Sequence, residues 1–288
     1  MAYEGYTVLN TGYKMPLLGL GTFQIKSQAD VELSVTCALD SGYKLIDTAA
    51  VYKNEVAIGA CLPKILQEYG MSREDIFITT KLGPQHLGGD AVKGLNESLK
   101  NLGVTYVDLY LIHWPGRQGL KQESEENKVL RKEAWLALNE VYQASSKIRS
   151  LGVSNYTLQH LKEMESYSKI VPAVVQNEFH PDFQEVHVRE YCQMKKIHFQ
   201  AYSSLGQAKL LCDQRFETTA LNHGKSVPQI LLRWALQNGC GVIPKSSNPV
   251  HIKENINIAD FCLSYGEMSA ISNCSKNVKF AWNPKGVA

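Results

Sequence analysis

The sequence lacks an excess of charge of either sign, since 30 Lys and Arg against 28 Asp and Glu leave a formal net charge of +2 over 288 residues. A nearly neutral chain has no basic surface of the kind that attracts nucleic acid or an anionic membrane. No apolar run reaches the roughly 18 to 20 residues that a membrane-spanning helix needs. Residues 1–6 have neither the basic flank nor the apolar core of a signal peptide. These absences predict a cytoplasmic protein that binds neither nucleic acid nor membranes.

The sequence also lacks the spacings of a disulfide framework or a metal site. Its seven cysteines are an odd, scattered set without a C-x-x-C motif, which is typical of reduced thiols. Four histidines could be considered as metal ligands, namely His180, His187, His198 and His223. None of them has a second ligand residue at the spacing that a metal site needs. We therefore expect no metal, and we interpret residues 178–181 as structural packing.

What the sequence has is a regular alternation of short apolar runs and helical patterns. Strands are predicted at residues 17–22, 44–46, 76–82, 107–113, 148–155, 173–178, 197–203 and 241–246. Helices are predicted at residues 31–39, 54–62, 91–102, 133–145, 157–167, 186–194 and 227–237. This alternation predicts an α/β fold with a parallel sheet, and eight such units suggest closure into a (β/α)8 TIM barrel. Residues 6–9 and 15–22 flank Asn10-Thr11-Gly12, which predicts an amino-terminal hairpin.

The competing fold is an open, doubly wound sheet, which should carry G-x-G-x-x-G after its first strand. The segment from Gly19 to Gln24 lacks the third glycine, so the barrel is favoured. No linker divides the chain, and residues 1–288 are expected to form a single domain. The most polar stretch, residues 116–132, predicts a long mobile loop over the barrel mouth, as a plain solvated loop or as a functional lid.

Four polar side chains follow three consecutive predicted strands. Asp47 and Tyr52 follow the second, Lys81 ends the third, and His113 ends the fourth. In a barrel the carboxyl ends of all strands meet at one mouth, where barrel enzymes do their chemistry. An isolated Asp and Tyr would more simply be a capping carboxylate and a half-buried ring. Four such residues on consecutive strands are hard to explain that way, because a buried charge must be paired.

Proton donation by a tyrosine is the chemistry that suits this set. A free phenol, with a pKa of about 10, is a poor acid at neutral pH. Lys81 and the amino terminus of the helix that Asn54 is predicted to cap would both favour phenolate, so a lowered pKa is predicted for Tyr52. Asp47 would neutralise and orient Lys81, while His113 would steer a substrate oxygen or share the proton. The set predicts general acid catalysis, and carbonyl reduction is one reaction that needs it.

Eight segments, taken jointly and in order, match one known family. They are Gly19-Leu20-Gly21-Thr22-Phe23, Ile46-Asp47-Thr48-Ala49 with Tyr52, Asn54 and Glu55, Thr80-Lys81-Leu82, Asp108-Leu109-Tyr110-Leu111-Ile112-His113-Trp114-Pro115, Lys147-Ile148-Arg149-Ser150-Leu151-Gly152-Val153-Ser154-Asn155-Tyr156, Gln176-Asn177-Glu178-Phe179-His180-Pro181, Tyr202-Ser203-Ser204-Leu205-Gly206 and Ile243-Pro244-Lys245-Ser246. By these segments the chain resembles the aldo-keto reductases. The resemblance implies a TIM barrel with its floor closed by the hairpin, and NADPH bound in extended form without a Rossmann fold.

The resemblance implies NADPH-dependent reduction of aldehydes and ketones to alcohols. Hydride would pass from the nicotinamide C4 to the carbonyl carbon while Tyr52 gives the oxygen its proton. Lys81 and Asp47 would tune Tyr52, and His113 would orient the carbonyl. The residues implied to contact the substrate are Phe23, Tyr52, His113 and Trp114.

The resemblance also implies how NADPH is held. Ser154, Asn155 and Gln176 would hold the nicotinamide carboxamide, and the ring would stack on Tyr202. The pyrophosphate would lie along Ser203, Leu205 and Gly206, and the 2′-phosphate against Lys245 and Ser246. Further implied cofactor contacts are Gly21, Thr22, Asp47, Ser247, Asn248, His251, Glu254 and Asn255.

Departures from the family pattern bear on specificity. His251 stands where NADPH-preferring members often carry an arginine, and a neutral imidazole has neither the charge nor the planar fork of a guanidinium. NADPH is therefore expected, with reduced selectivity over NADH. Ser204 replaces a usual proline and leaves its loop freer. Phe23 replaces a usual tryptophan and would form with Trp114 and Tyr52 an aromatic wall suited to small aldehydes. Because the carboxyl-terminal end is short, an open and permissive site is expected.

Two other functions stay open on sequence alone. The chain could keep the barrel and cofactor pocket but act as a structural or regulatory protein, since lens crystallins and potassium-channel β subunits resemble this family. The intact catalytic set argues against loss of catalysis without excluding a second role. A non-redox barrel acting on phosphorylated substrates could use residues 203–206 as a phosphate loop, but Tyr52 and Lys81 would then lack a purpose. The family resemblance suggests a monomer.

Overall fold

An antiparallel hairpin precedes the barrel. The computed structural model describes residues 5–288, so residues 1–4 of the predicted non-secretory start lie outside the described part. The hairpin pairs β1 (Tyr6–Val8) with β2 (Lys14–Pro16). Met15 and Leu9 are buried against Phe77, at the beginning of a barrel strand, in one apolar cluster. The hairpin predicted from the sequence is therefore present and packs against the floor of the barrel.

The parallel sheet closes on itself. Its eight strands are hydrogen-bonded in chain order: β3 (Leu20–Gly21), β4 (Leu45–Asp47), β5 (Phe77–Leu82), β6 (Leu109–Ile112), β7 (Leu151–Ser154), β8 (Val174–Glu178), β9 (His198–Tyr202) and β10 (Gly241–Val242). Parallel bridges from Leu18 to Val242 and from Gly21 to Lys245 join the first strand to the last. The predicted (β/α)8 barrel is confirmed.

Within residues 5–288, ten α-helices accompany the strands: α1 (Gln28–Asp40), α2 (Glu55–Glu68), α3 (Ala91–Leu102), α4 (Glu126–Ala144), α5 (Leu158–Met164), α6 (Val186–Met194), α7 (Gln214–His223), α8 (Val227–Gln237), α9 (Pro249–Ile256) and α10 (Tyr265–Asn273). Three of them, α3, α6 and α8, have the predicted bounds. The sequence analysis missed α7, α9 and α10. All three begin at polar N-caps, Asp213 for α7, Asn248 for α9 and Ser264 for α10, which is the signal that could have found them.

The predicted loop at residues 116–132 is shorter than expected, because α4 begins at Glu126. The helix start was missed because the first turns of α4 are polar, and the apolar periodicity becomes clear only from about residue 133. The rest of the segment is tied to the helix by the buried Asn127, whose Oδ1 accepts from the Arg117 N–H at 2.9 Å. The Asn127 amide also donates to the carbonyls of Lys121 and Gln122 at 3.0 and 3.1 Å. The prediction of a long mobile loop was therefore wrong in length and missed these bonds.

Because side chains alternate along the strands, one apolar layer lies on each side of the sheet. The larger lies between strands and helices and includes Trp135 and Trp234, while the smaller fills the barrel interior around Leu45 and Leu111. Within residues 5–288 no helix is both long and apolar enough to cross a membrane. All seven cysteines are free thiols.

Gly21 offers a test of the seam that closes the barrel. A Cβ built on Gly21 would lie 2.6 Å from the carbonyl oxygen of Ile243, so Gly21→Ala should force backbone apart and lower the free energy of unfolding by about 1–3 kcal/mol. Gly266→Ala is the matched control, because Gly266 lies in α10 with nothing near its missing Cβ and should gain stability from the better helix former. Urea unfolding of the two variants should move in opposite directions, and equal stability of Gly21→Ala and wild type would rule out the tight seam.

Candidate active site

The four predicted catalytic side chains lie together at the carboxyl-terminal mouth of the barrel. Asp47 is the last residue of β4, Lys81 is next to last in β5, and His113 directly follows β6. Tyr52 ends a one-turn 3₁₀ helix that follows β4. Because β4, β5 and β6 are buried along their whole lengths, the charged side chains at their carboxyl ends must find hydrogen-bond partners within the protein.

Lys81 is the centre of this group. Its side chain is fully buried, and its Nζ donates to Asp47 Oδ1 at 2.5 Å and to the Thr48 carbonyl at 2.9 Å. The third contact of Nζ is the hydroxyl of Tyr52 at 3.3 Å. An ammonium has three protons to donate, so this arrangement satisfies all of them within the protein. The lysine therefore fixes the relative positions of the carboxylate and the phenol.

The phenol of Tyr52 is not made more acidic in this arrangement, contrary to the prediction. Burial raises the pKa of Tyr52 well above its ordinary value, and the negative charge of Asp47 raises it further. Lys81 does not reverse this effect, because its charge is compensated by Asp47 in direct contact. Tyr52 therefore keeps its proton through the neutral pH range, and a protonated phenol is the form that a general acid must have.

Asp47 and Lys81 are each shifted toward their neutral forms. Burial raises the pKa of Asp47 and lowers the pKa of Lys81, and the attraction between the two offsets only part of each effect. His113 is also buried, and burial together with the charge of Lys81 lowers its pKa well below the ordinary value. A neutral imidazole has one N–H to donate. Its ring meets the Tyr52 ring edge to face, with centroids 5.6 Å apart, which suits a group that steers a substrate oxygen.

A polar column runs from Asp47 into the barrel interior, and sequence analysis missed half of it. Gln176 Nε2 donates to Asp47 Oδ2 at 2.7 Å and to Gln200 Oε1 at 2.9 Å. Below them, Gln200 Nε2 and His198 Nε2 are buried without a hydrogen-bond partner among residues 5–288. Both side chains flank Gly241, whose missing Cβ would lie 2.7 Å from His198 Nε2. The alternation of side chains along β9 is the signal that could have found Gln200.

The residues predicted to hold the nicotinamide surround the rim beside His113. Asn155 Nδ2 donates to the His113 carbonyl at 2.9 Å, and the Tyr202 hydroxyl donates to Asn155 Oδ1 at 2.6 Å. Ser154 Oγ donates to the Gln176 carbonyl at 2.8 Å. The backbone of Asn155 has a φ of +62°, a left-handed conformation that asparagine tolerates better than most residues. These bonds bring Ser154, Asn155, Gln176 and Tyr202 into one rim.

Asn54 occupies the predicted N-cap position of α2, but its side chain does not cap the helix. Its Oδ1 accepts from Thr48 Oγ1 at 2.7 Å, and its Nδ2 donates to the carbonyls of Thr22 and Ile25 at 2.9 and 3.0 Å. Thr22 in turn donates its hydroxyl to the Asp47 carbonyl at 2.9 Å. The buried amide therefore ties the loop after β3 to the loop after β4, which carries the predicted catalytic Tyr52.

A second group of predicted cofactor residues lies across the barrel seam, at the amino terminus of α9. Gly21 forms the bridge to Lys245 across this seam. Lys245 is exposed and forms no ion pair with any other residue from 5 to 288. Next to it, Ser246 Oγ accepts from the Asn248 N–H at 3.1 Å, and Asn248 caps α9. An unpaired ammonium beside a helix amino terminus suits an anionic group such as a phosphate.

The predicted pyrophosphate residues follow β9 in a strained loop. Ser203, Gly206, Gln207 and Ala208 have φ values of +51°, +60°, +53° and +70°. Left-handed backbone in a non-glycine residue costs on the order of 1 kcal/mol or more and is found most often at ligand sites. Ser204, which replaces the usual proline, is buried. The remaining predicted cofactor residues lie beside or on α9, with Ser247, His251 and Glu254 exposed and Asn255 buried.

Aromatic rings wall the mouth above the catalytic side chains. Phe23 meets Tyr52 with centroids 5.1 Å apart, in line with the predicted wall. Sequence analysis missed Trp282, which belongs to the short carboxyl-terminal segment. Its ring lies 6.0 to 6.3 Å from the rings of His113, Phe23 and Trp114. The expectation of an open site did not include this fifth ring. No local sequence signal could have indicated it, because its three ring partners lie far away in the chain.

The histidines considered for a metal have other partners or stand apart. His180 Nε2 lies 2.9 Å from Glu178 Oε1, and His223 Nε2 lies 2.9 Å from Glu267 Oε1. His187 is exposed on α6 beside Glu190. Among residues 5–288 no group of three His, Cys, Asp or Glu side chains is arranged to hold a metal ion.

Comparisons with known proteins give one consistent result. Residues 17–276 match the model of the aldo/keto reductase family. Glyoxal reductase of Bacillus subtilis is 39% identical to this chain, covering 96% of it and 95% of the relative. Aldose reductase B of Dictyostelium discoideum is 37% identical, with 93% and 91% covered. A Bombyx mori aldo-keto reductase, whose crystal structure is a complex with NADP, has 32% sequence identity to this chain. The two structures superpose with a TM-score of 0.87, covering 98% of this chain and 95% of the relative.

His198, at the end of the polar column, should make the free energy of unfolding depend on pH. Burial lowers the pKa of His198 to about 4, whereas an unfolded histidine titrates at about 6.5. The unfolded state therefore binds a proton that the folded state refuses, and stability should fall as the pH drops from about 7 to about 5. We expect wild type to lose between about 1 and 2 kcal/mol more over this range than His198→Gln, which cannot titrate. Equal losses in urea unfolding would show that His198 is not held neutral.

Proposed function

The chain belongs to the aldo/keto reductase family, and from that premise we propose that it reduces aldehydes and ketones to alcohols with NADPH, using Tyr52 as the general acid. Membership of the family makes the chain an NAD(P)H-dependent oxidoreductase. The observation that carries the finer proposal is the buried Lys81 ammonium, which contacts both Asp47 and the Tyr52 hydroxyl. A protonated phenol held in this way can deliver one proton to a substrate oxygen at the barrel mouth.

The residues present fit a nicotinamide dinucleotide phosphate. The amides of Asn155 and Gln176 and the hydroxyl of Ser154 would hold the nicotinamide, beside the ring of Tyr202. Lys245 and the amino terminus of α9 offer the charge and dipole that a phosphate needs. The NADP complex of the Bombyx mori relative supports this assignment. When bound, NADPH supplies the hydride that the carbonyl carbon accepts.

Each catalytic side chain then has a distinct task. Negative charge develops on the carbonyl oxygen as the carbon accepts hydride. Tyr52 gives its proton to that oxygen, which completes the alcohol, and the side chain of Tyr52 is left as a phenolate. Lys81, at 3.3 Å from the phenol oxygen, stabilises the negative charge left there. Asp47 holds Lys81 in place through the 2.5 Å contact. His113, kept neutral by burial, donates an N–H toward the same substrate oxygen and orients it.

The remaining features of the proposal come from the same resemblance. Relatives named glyoxal reductase and aldose reductase support a small carbonyl compound as the substrate. We further propose that residues 1–288 fold as one barrel domain and act as a cytoplasmic monomer. The alternative of a barrel that binds the cofactor in a structural or regulatory role has less support, because all four proposed catalytic side chains are present and linked by contacts from Asp47 through Lys81 and Tyr52 to His113.

Tyr52→Phe tests the general acid directly. We expect this variant to lose about 100-fold to 10,000-fold in kcat, because the ring and its packing stay while the transferable proton is gone. The measurement is the consumption of NADPH, followed by absorbance, with a small activated aldehyde. Tyr265→Phe, a hydroxyl removal at a tyrosine exposed on α10, is the matched control and should leave turnover near wild type. NADPH binding without turnover by wild type across a panel of aldehydes and ketones would favour the structural or regulatory role.

His251→Arg tests how the 2′-phosphate end selects the cofactor. His251 is exposed in the first turns of α9, on the same segment as Lys245 and Asn248. A guanidinium would add a permanent charge and a planar fork for the 2′-phosphate, so KM for NADPH should fall about tenfold while KM for NADH changes little. The charge-matched control is His187→Arg on α6, which should alter neither constant. Equal effects on NADPH and NADH would place the 2′-phosphate elsewhere.

A further inference from the structure

A buried carboxylate next to the active site has no task in the proposed chemistry. Glu178 ends β8, and its side chain is fully buried. Its two oxygens accept four hydrogen bonds at 2.6 to 2.9 Å, from the side chains of His180 and Lys279 and from the backbone N–H groups of Phe280 and Ala281. Three of these four donors come from one stretch of the carboxyl-terminal segment, so Glu178 binds that segment to the barrel.

The charge of Glu178 makes this a strong attachment. Burial alone would raise the pKa of Glu178, but the hydrogen bonds from His180 and Phe280 and the hydrogen-bonded charge of Lys279 lower it to about 2. The group is therefore a carboxylate throughout the pH range in which proteins work. Hydrogen bonds to an ionised acceptor are roughly twice as strong as neutral ones. A buried carboxylate with every oxygen satisfied is an anchor that the segment leaves only at a high cost.

The carboxyl-terminal strap, residues 276–288, is held on both sides of the mouth. Near Glu178, the Phe280 ring stacks on His180 with centroids 4.9 Å apart. At the far end, the Val287 carbonyl lies 3.0 Å from His160 Nε2, and the Ala288 carbonyl accepts from Arg131. The strap therefore crosses the barrel mouth between two fixed ends.

Trp282 stands on the strap between these two ends. It directly follows Ala281, the last residue whose N–H Glu178 binds. Its ring meets those of Phe23, His113 and Trp114 edge to face, at interplanar angles of 71° to 83°. About half of its surface is exposed, so the ring has room to contact a ligand. Edge-to-face packing and a free surface suit an aromatic or planar apolar group next to the reacting carbonyl.

We propose that Glu178 is a positioning residue that fastens the strap so that Trp282 closes the substrate pocket over an aromatic group attached to the carbonyl. This inference rests on the proposed reductase function. It assigns Glu178 no contact with substrate or cofactor, and its effect is transmitted through Lys279, Phe280 and Ala281 to Trp282. The preferred substrate class is therefore aromatic aldehydes over the smallest dicarbonyls.

A double-mutant cycle on substrate preference tests this transmission. Trp282→Ala should raise KM for benzaldehyde about tenfold, with a smaller rise for glyoxal, which is too small to reach the ring. Glu178→Gln should raise KM for benzaldehyde in the same way and change kcat less than KM. Because both substitutions remove the same contact, that between the Trp282 ring and the substrate, the double variant should match Trp282→Ala alone. Additive effects, or equal losses for both aldehydes, would overturn the proposal.

Fluorescence quenching gives a readout that needs neither cofactor nor turnover. Of the four tryptophans, Trp135 and Trp234 are fully buried, while Trp114 packs on Trp282. All variants are therefore compared in a Trp114→Phe background, where the difference in acrylamide quenching with and without Trp282→Phe isolates Trp282. Glu178→Gln should make this component more accessible. Lys279→Met, which removes one of the three strap bonds and keeps the two from the backbone, should give a smaller increase. If Glu178→Gln fails to fold, the milder Lys279→Met variant still tests whether the bonds to Glu178 hold Trp282 in place.

The two readouts separate this inference from the function on which it rests. If wild type turns over no carbonyl compound, the proposed function fails, while quenching still reports whether Glu178 holds Trp282 in place. If wild type reduces both aldehydes but Glu178→Gln and Lys279→Met leave the quenching of Trp282 unchanged, the positioning role is wrong and the reductase function stands.

Discussion

The buried ammonium of Lys81 is the constraint on which the rest of the site depends. Taking a lysine charge out of water costs several kcal/mol unless hydrogen bonds replace the lost solvent. Here the replacement consists of one carboxylate oxygen, one backbone carbonyl and one phenol hydroxyl. Any substrate oxygen that approaches Tyr52 enters a place already organised around that charge. The geometry of the proposed catalytic group thus follows from the hydrogen bonds that Lys81 requires.

The hydrogen bonds around Lys81 also connect the two ends of the proposed cofactor site. Asp47 gives one oxygen to Lys81 and the other to Gln176, while its backbone carbonyl accepts from Thr22. Thr22 follows Gly21, the residue that bridges to Lys245 across the seam of the barrel. The contact at the mouth and the cationic end near α9 are therefore joined by a short, largely buried chain of hydrogen bonds. A barrel that closed in another register would separate them.

Sequence patterns located what is local and missed what is assembled across the chain. The ends of β4, β5 and β6 could be predicted, because an apolar run that stops at a polar or charged residue marks the point where a strand leaves the core. The lowered pKa predicted for Tyr52 was wrong, because spacing places Lys81 near the phenol but does not show that Asp47 compensates its charge. Gln200 and Trp282 were missed since their contacts join residues far apart in sequence. The first turns of α4 were missed because they are polar.

Two buried carboxylates at the same end of the barrel show how hydrogen-bond donors separate a reactive group from an anchor. Both Asp47 and Glu178 are paired with a lysine, at 2.5 and 2.8 Å. Glu178 has three further donors and a pKa of about 2, whereas Asp47 has one amide besides its lysine and a raised pKa. Because burial penalises both charges, the difference lies in how completely each is compensated. The under-compensated pair is the one beside the phenol, where charge must still move during the reaction that we propose.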